Sequence, residues 1–187
     1  MACDLISLDG RACEGSQGGI YVSYALKFSD LDTVTFDADG NITAITTLGG
    51  ALFAKYEYVK DDTAYYNQTG ERNNLVHSYN QESFFKFPSI TVENQNYVDS
   101  IDGCCDLFLV HFLNNGVALA QGIEYDKIND VWKDPRNSTK PTISVMSDTG
   151  ENESRVESMF TSIAHRRSPI VVLTTEEMDA LAGIVTP

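Results

Sequence analysis

TAYYNQTGERNNLVHSYNQESFFKF, residues 63–87, is the stretch on which the reading of this chain turns. Aromatic and β-favouring residues are spread through both halves, and the whole reads as one long hairpin turning near Glu71–Asn74. Polar side chains fall on both faces of both strands. A sheet in a sandwich normally keeps one face apolar, so the expectation is that something other than the chain's own core meets this ribbon.

Working outward, the flanking sequence is also mostly β. The run Ile20–Phe28, IYVSYALKF, is too short and too rich in aromatic and β-branched residues for a stable helix, and its apolar character predicts burial on both faces. Val34–Phe36 and Ile42–Thr47 flank the turn Asp37-Ala38-Asp39-Gly40-Asn41 and form a hairpin. Leu52–Lys60 continues as a strand. A second hairpin joins Asp106–Leu113 to Val117–Gln121 through Asn114-Asn115-Gly116. Residues 126–141 and 147–154 read as loops around a short strand at Thr142–Met146, because Pro135, Pro141 and Gly150 interrupt them. Arg155–Ala164 and Ile170–Leu173 complete the strands.

Two helices are expected. Val92, Tyr97, Val98 and Ile101 recur at helical spacing before Gly103, so residues 91–103 predict one helix flanking a sheet. Thr174 with Glu177 three residues later forms a capping-box pattern, and Gly183 closes a short C-terminal helix. The fold class is therefore mainly β: an antiparallel sandwich with one flanking helix and a short C-terminal helix. A single domain over 1–187 accounts for the length, with an irregular glycine-bearing arm at 1–19, the polar hairpin at 63–87 and a loop-rich region at 126–154.

Composition narrows the function. Thirteen basic against 27 acidic residues give a net charge of -14, which opposes tight binding to phosphate backbones or anionic membranes. The start, MACDLISLDG, lacks the pattern of a secretory signal, and no run of residues approaches a membrane span, so synthesis in the cytoplasm is expected. The sequons at Asn41, Asn67, Asn137 and Asn152 are read as chance, and four cysteines are too few for a disulfide scaffold, leaving pairing of Cys3 with Cys13 open.

The chain holds no motif that assembles a catalytic centre. Asp37, Asp39 and Asn41 resemble the opening of a calcium loop, but the glycine is misplaced and Leu48 stands where a bidentate Glu belongs, so a plain turn is the better reading. Cys104 and Cys105 are adjacent rather than spaced for zinc. His77, His111 and His165 are scattered without an accompanying nucleophile motif, and His111 lies in an apolar run as a satisfied core histidine. Nucleotide-binding glycine loops are missing. His165-Arg166-Arg167, the one compact basic cluster, reads as a salt-bridging loop. No enzyme, cofactor or metal is expected.

ACDLISLDGRAC followed by GGIYVSYALKFSDLDTVTFDADGNITAIT resembles tail tube proteins encoded in phages and prophages of Bacteroidetes. Cys3, Cys13, Gly18, Gly19, Ile20 and Gly40 carry the match, with an aromatic strand at Phe53–Tyr58. The resemblance is sharpest over residues 1–60 and architectural afterwards; the loops at 126–154 depart from it. It implies a virion structural protein made in the host cytoplasm: a β-sandwich forming stacked homohexameric rings, whose inner sheets close into a barrel that conducts DNA without holding it. Other tail proteins would be its partners, and Glu71 and Glu82 its candidate bore-lining residues. The alternatives are another virion component, such as a capsid decoration or head-completion protein, or a carbohydrate-binding sandwich presenting Tyr65, Tyr66 and Trp132 as stacking platforms.

Overall fold

Strand β1, Ile20–Lys27, explains the layering of the whole molecule, because almost every residue in it is buried. Alternation along the strand sends Val22, Tyr24 and Leu26 to one face and Ser23 and Ala25 to the other. A register shift between Ile20 and Val22 turns Ile20 to the second face, where it joins Ala25. The computed structural model describes residues 19–57, 64–73, 76–87, 92, 95–96, 106–126, 128–129, 131–133, 137–146 and 155–184.

The other strands are β2 (Leu31–Phe36), β3 (Ile42–Thr47), β4 (Ala54–Glu57), β5 (Ala64–Asn73), β6 (Val76–Phe87), β7 (Leu107–Leu113) and β8 (Ala118–Gln121). They are followed by β9 (Glu124–Asp126), β10 (Val131–Lys133), β11 (Asn137–Met146), β12 (Arg155–Ala164) and β13 (Ile170–Val171), and the C-terminal helix is α1, Thr175–Leu181. Seven strands make a large sheet in the order β2-β3-β13-β8-β7-β1-β4, and four make a smaller one in the order β11-β12-β6-β5. Strands β9 and β10 pair separately. Every pairing is antiparallel except the short β13–β3 contact. The arrangement is the mainly β sandwich expected, with no closed barrel among the described residues.

Two apolar layers result. Between the sheets, Ile20, Ala25, Leu107 and Leu109 of the large sheet pack on Ala64, Phe85 and Phe160 of the small one. On the far side of the large sheet, Val22, Tyr24, Leu26, Phe108, Val110 and Phe112 pack with residues of β2 and β3, Phe53, and Met178 of α1. The helix is seated as its capping box predicts: Thr174 Oγ1 accepts from the Glu177 amide at 3.3 Å, and Glu177 Oε2 accepts from the Thr174 amide at 2.8 Å. Asp179 then fastens it, accepting from the Tyr24 hydroxyl at 2.6 Å and pairing with Lys55 at 2.9 Å. These contacts hold the Asp179 carboxyl below its ordinary range, and burial together with the Asp179 bond raises the Tyr24 phenol.

Some expectations change. The region 126–154 is less loop-like than its prolines suggest: β10 pairs with β9, and β11 runs for ten residues through Pro141 instead of beginning at Thr142. Pro141 is tolerated because β11 is an edge strand, flanked among the described residues by a ladder on one side alone. Strand β4 is shorter than Leu52–Lys60, with residues 58–60 outside the described part, and Ile170–Leu173 contracts to the two residues of β13. Of the helix expected over 91–103, Val92, Gln95 and Asn96 are described and are helical. The remainder of that helix, the arm at 1–18, all four cysteines and the loop at 147–154 lie outside the described residues.

Gly122, between β8 and β9, adopts φ 90° where the large sheet meets β11. A Cβ there would collide with the Leu107 carbonyl oxygen and lie 2.7 Å from Thr139 Oγ1. Gly122→Ala is therefore expected to cost about 3 kcal/mol or more of stability. Gly116→Ala, at φ 83° in the Asn-Gly turn with open space around it, is expected to cost about 1 kcal/mol. Urea denaturation of both variants beside the unmodified protein measures the difference.

Candidate functional site

The small sheet is the part of the molecule that the core explains least, and its polar ribbon has two different fates. On the inward face, the cross-strand pairs run Ala64–Phe85, Tyr66–Ser83, Gln68–Gln81, Gly70–Tyr79 and Arg72–His77. Apolar contact holds the first of these, but Ser83 and Gln81 are buried too, at 0% and 1% exposure. The expectation that an outside partner must meet this face is corrected here: the chain's own large sheet meets it, with polar groups of its own.

Gln121, at the end of β8, is the centre of that contact. Its Oε1 accepts from Ser83 Oγ at 2.8 Å and from His111 Nε2 at 3.0 Å. Its Nε2 donates to the backbone carbonyls of Gln81 at 3.3 Å and Phe160 at 3.1 Å, and to Ser162 Oγ at 3.4 Å. Ser162 Oγ in turn donates to Gln81 Oε1 at 2.9 Å. Because an amide oxygen can only accept, the His111 proton sits on Nε2, and Nδ1 accepts from Ser23 Oγ at 2.9 Å. Five strands, β1, β7 and β8 of one sheet and β6 and β12 of the other, are tied by one hydrogen-bond network.

His111 is thus the satisfied core histidine expected, with both ring nitrogens bonded and Tyr66 and Phe85 packed at 5.4 and 5.8 Å between ring centroids. Tyr66 turns its phenol to Ser168, and burial pushes that phenol up to about 12. Gln81 Nε2, Gln68 Nε2, Ser158 Oγ and Thr139 Oγ1 are buried atoms without a hydrogen-bond partner among the described residues.

The outward face carries Tyr65, Asn67, Thr69 and Glu71 of β5 opposite Phe84, Glu82, Asn80 and Ser78 of β6. Glu71 and Glu82, the candidate bore-lining residues, do share this face. Glu82 accepts from the Tyr65 hydroxyl at 2.8 Å and Glu71 from Asn80 Nδ2 at 3.3 Å. Thr161 of β12 and Thr142 of β11 extend the same surface. Tyr65 lies flat on Phe84, with centroids 5.3 Å apart and ring planes 19° from parallel. Past the Tyr79–Ala164 pair, where β12 ends, the tip of the hairpin projects beyond the rest of the sheet.

Tyr65 and Tyr66 face opposite sides of β5, one on the surface and one in the interior, so they form no common stacking platform. Trp132 lies on β10 in the separate two-stranded ribbon, and its side chain is outside the described part. Asp37 closes its own turn, accepting from the amides of Asp39 and Asn41 and from Asn41 Nδ2 at 2.8–2.9 Å. Those bonds hold its carboxyl below the ordinary range.

His77 and His165 prove to be neighbours rather than scattered, with His165 Nδ1 3.4 Å from the His77 carbonyl oxygen. The salt-bridging role expected for the Arg166-Arg167 cluster is not seen: among the described residues neither guanidinium meets a carboxylate. Sequence reading also missed Gln121, Ser23, Ser83 and Ser162. Short polar residues in strands give no signal of a buried network until the two sheets are superposed.

No protein-family model, curated protein or solved structure matches this chain.

Burial keeps the His111 imidazole neutral and pulls its pKa from 6.5 down to about 4. The unfolded chain therefore takes the proton first as pH falls. The His111 contribution to stability is expected to decline from about pH 6.5, losing roughly 2 kcal/mol by pH 5, and to be spent below about pH 4, where loss of the Asp179 and Asp37 contacts takes over. Urea midpoints at pH 7 and pH 5 test this; His111→Asn, whatever its own cost, is expected to flatten that slope.

Proposed function

We propose that this chain is a phage tail tube subunit that assembles by continuing its four-stranded sheet from one copy to the next. The observation that supports it most is the pair of edges on that sheet, β5 at one side and β11 at the other, each ten residues long and without a further strand beside it among the described residues. All three internal pairings are antiparallel, so β5 and β11 run in opposite directions. Copies related by rotation about a ring axis therefore bring β5 of one against β11 of the next in antiparallel orientation, as an even strand number requires. Pairing of this kind satisfies backbone groups that an isolated chain leaves to water.

Six copies of the four-stranded sheet close, at about 4.8 Å between strands and about 40° tilt, on a barrel about 48 Å across. Allowing for side chains on the wall, that bore passes a DNA duplex. In this reading the outward face carrying Asn67, Thr69, Glu71, Asn80 and Glu82 becomes the wall. The carboxylates of Glu71 and Glu82 on this wall repel phosphate groups, with Lys86 at the far end of the same face as a lone opposing charge among those of β5 and β6, and the net charge of -14 acts in the same sense as the carboxylates.

Electron microscopy and sedimentation velocity of the purified protein test the reading. Rings or tubes that grow with concentration are expected, shortened by an excess of a peptide spanning residues 137–146 that competes for the β5 edge. A protein that stays monomeric at high concentration, without rings on the grid, overturns it. Tubes unaffected by the peptide would move assembly to another surface, and immunolabelling of isolated particles separates a tail position from one on the capsid.

A further inference from the structure

Beneath the projecting hairpin lies an open cleft of about 480 Å³, lined by Gln68, Gly70, Glu71, Arg72, His77, Tyr79 and Arg167. Its chemistry is opposite to that of the chain as a whole, which carries 27 acidic and 13 basic residues. Two guanidiniums and an imidazole converge there with a phenol and an amide, and Glu71 is the one carboxylate on its rim. Glu71 is already engaged with Asn80 on the outer face. Among the described residues, neither Arg72 nor Arg167 has an ion-pair partner.

The floor also offers a donor in want of an acceptor. Gln68 lines the cleft, and its Nε2 has no acceptor among the described residues. A buried amide donor without an acceptor is costly, and an oxygen of a bound anion relieves that cost.

Both arginines are held by an anchored backbone, Arg72 in the β5–β6 ladder and Arg167 in the loop 165–168. That loop is fastened at three points: the His165 amide donates to the buried Glu124 carboxylate at 2.7 Å, His165 Nδ1 meets the His77 carbonyl oxygen at 3.4 Å, and Ser168 bonds Tyr66. Arg167 thereby faces the hairpin cleft and also a second hollow of about 300 Å³, shared with Arg166, Asp39 and Asn41. A fixed loop lowers the ordering cost of any anion the guanidiniums receive.

We propose that this cleft is an oxyanion site, built to take carboxylate or phosphate oxygens between Arg72, Arg167 and His77 with the Gln68 amide at its base. The same chemistry has two sources, a free polyvalent anion or an Asp or Glu side chain of a second copy of this acidic chain. The proposal is independent of tube formation, because the first source requires one copy alone.

Calorimetric titration of the intact protein with citrate and with inorganic phosphate, at constant ionic strength set by sodium chloride, tests the first source. Saturable binding is expected, weakened about tenfold or more in Arg72→Ala/Arg167→Ala and unchanged in Lys27→Ala, a control on an exposed residue of β1. For the second source, sedimentation velocity in phosphate-free buffer is expected to show self-association that the double variant weakens and citrate competes away. Either result supports the site and names its ligand. If neither anion binds saturably and the double variant associates as the unmodified protein does, the proposal is overturned, whether or not tubes form. Circular dichroism of the double variant, whose two substitutions fall on exposed residues, verifies that the fold is intact.

Discussion

The hydrogen bonds of Gln121 join the two sheets, and the placement of everything on the small sheet follows from them. A purely apolar interlayer tolerates sliding, since dispersion and burial are non-directional. An amide that must find Ser83, His111, two carbonyl groups and Ser162 at once fits in one register. The oily contacts of Phe85, Phe160, Leu107 and Leu109 supply attraction between the layers, and the polar centre supplies alignment. Because the network joins β6 and β12 to β1, β7 and β8, it holds the small sheet by its two central strands and leaves β5 and β11 as edges.

The opposite face of the large sheet is closed in another way. There the layer is hydrophobic from Val22 to Met178, and its polar link, Tyr24–Asp179–Lys55, lies toward the margin, where partial solvation keeps the charges inexpensive. The large sheet therefore has both faces occupied, while the small sheet has one face occupied and one exposed. That asymmetry is what gives the outer face of β5 and β6, and the edges beside it, their interest as assembly surfaces. The same geometry brings the loop at 165–168 under the hairpin and collects basic side chains in a chain otherwise dominated by carboxylates.

Much of the fold could be read from local chemistry. The apolar runs at 20–28 and 106–113 announced strands buried on both sides, Asn-Gly and Asp-Gly placed two turns, and Thr174 with Glu177 placed the last helix. Each of these signals depends on residues within a few positions of one another. The reading failed where an edge changed the rules, as at Pro141, and where polar residues paired across the sandwich, as for Gln81 and Ser83. A serine or glutamine in a strand looks the same whether it meets water or another glutamine.

The order of side chains along the chain by itself determined the β-rich class, the acidic balance and, wherever no bulge intervenes as it does at Ile20, which residues of a strand share a face, because period-two alternation is a local property of the backbone. Tertiary structure alone decided that the inner half of the polar hairpin is covered by the chain's own large sheet, that Tyr66 rather than Tyr65 is the one turned to the interior, and that Arg72 and Arg167 line one cleft. Those outcomes depend on contacts between residues some 40 to 100 positions apart, such as Ser83 with Gln121 and Tyr66 with Ser168. Their partners are chosen by how the sheets stack, which no local pattern encodes.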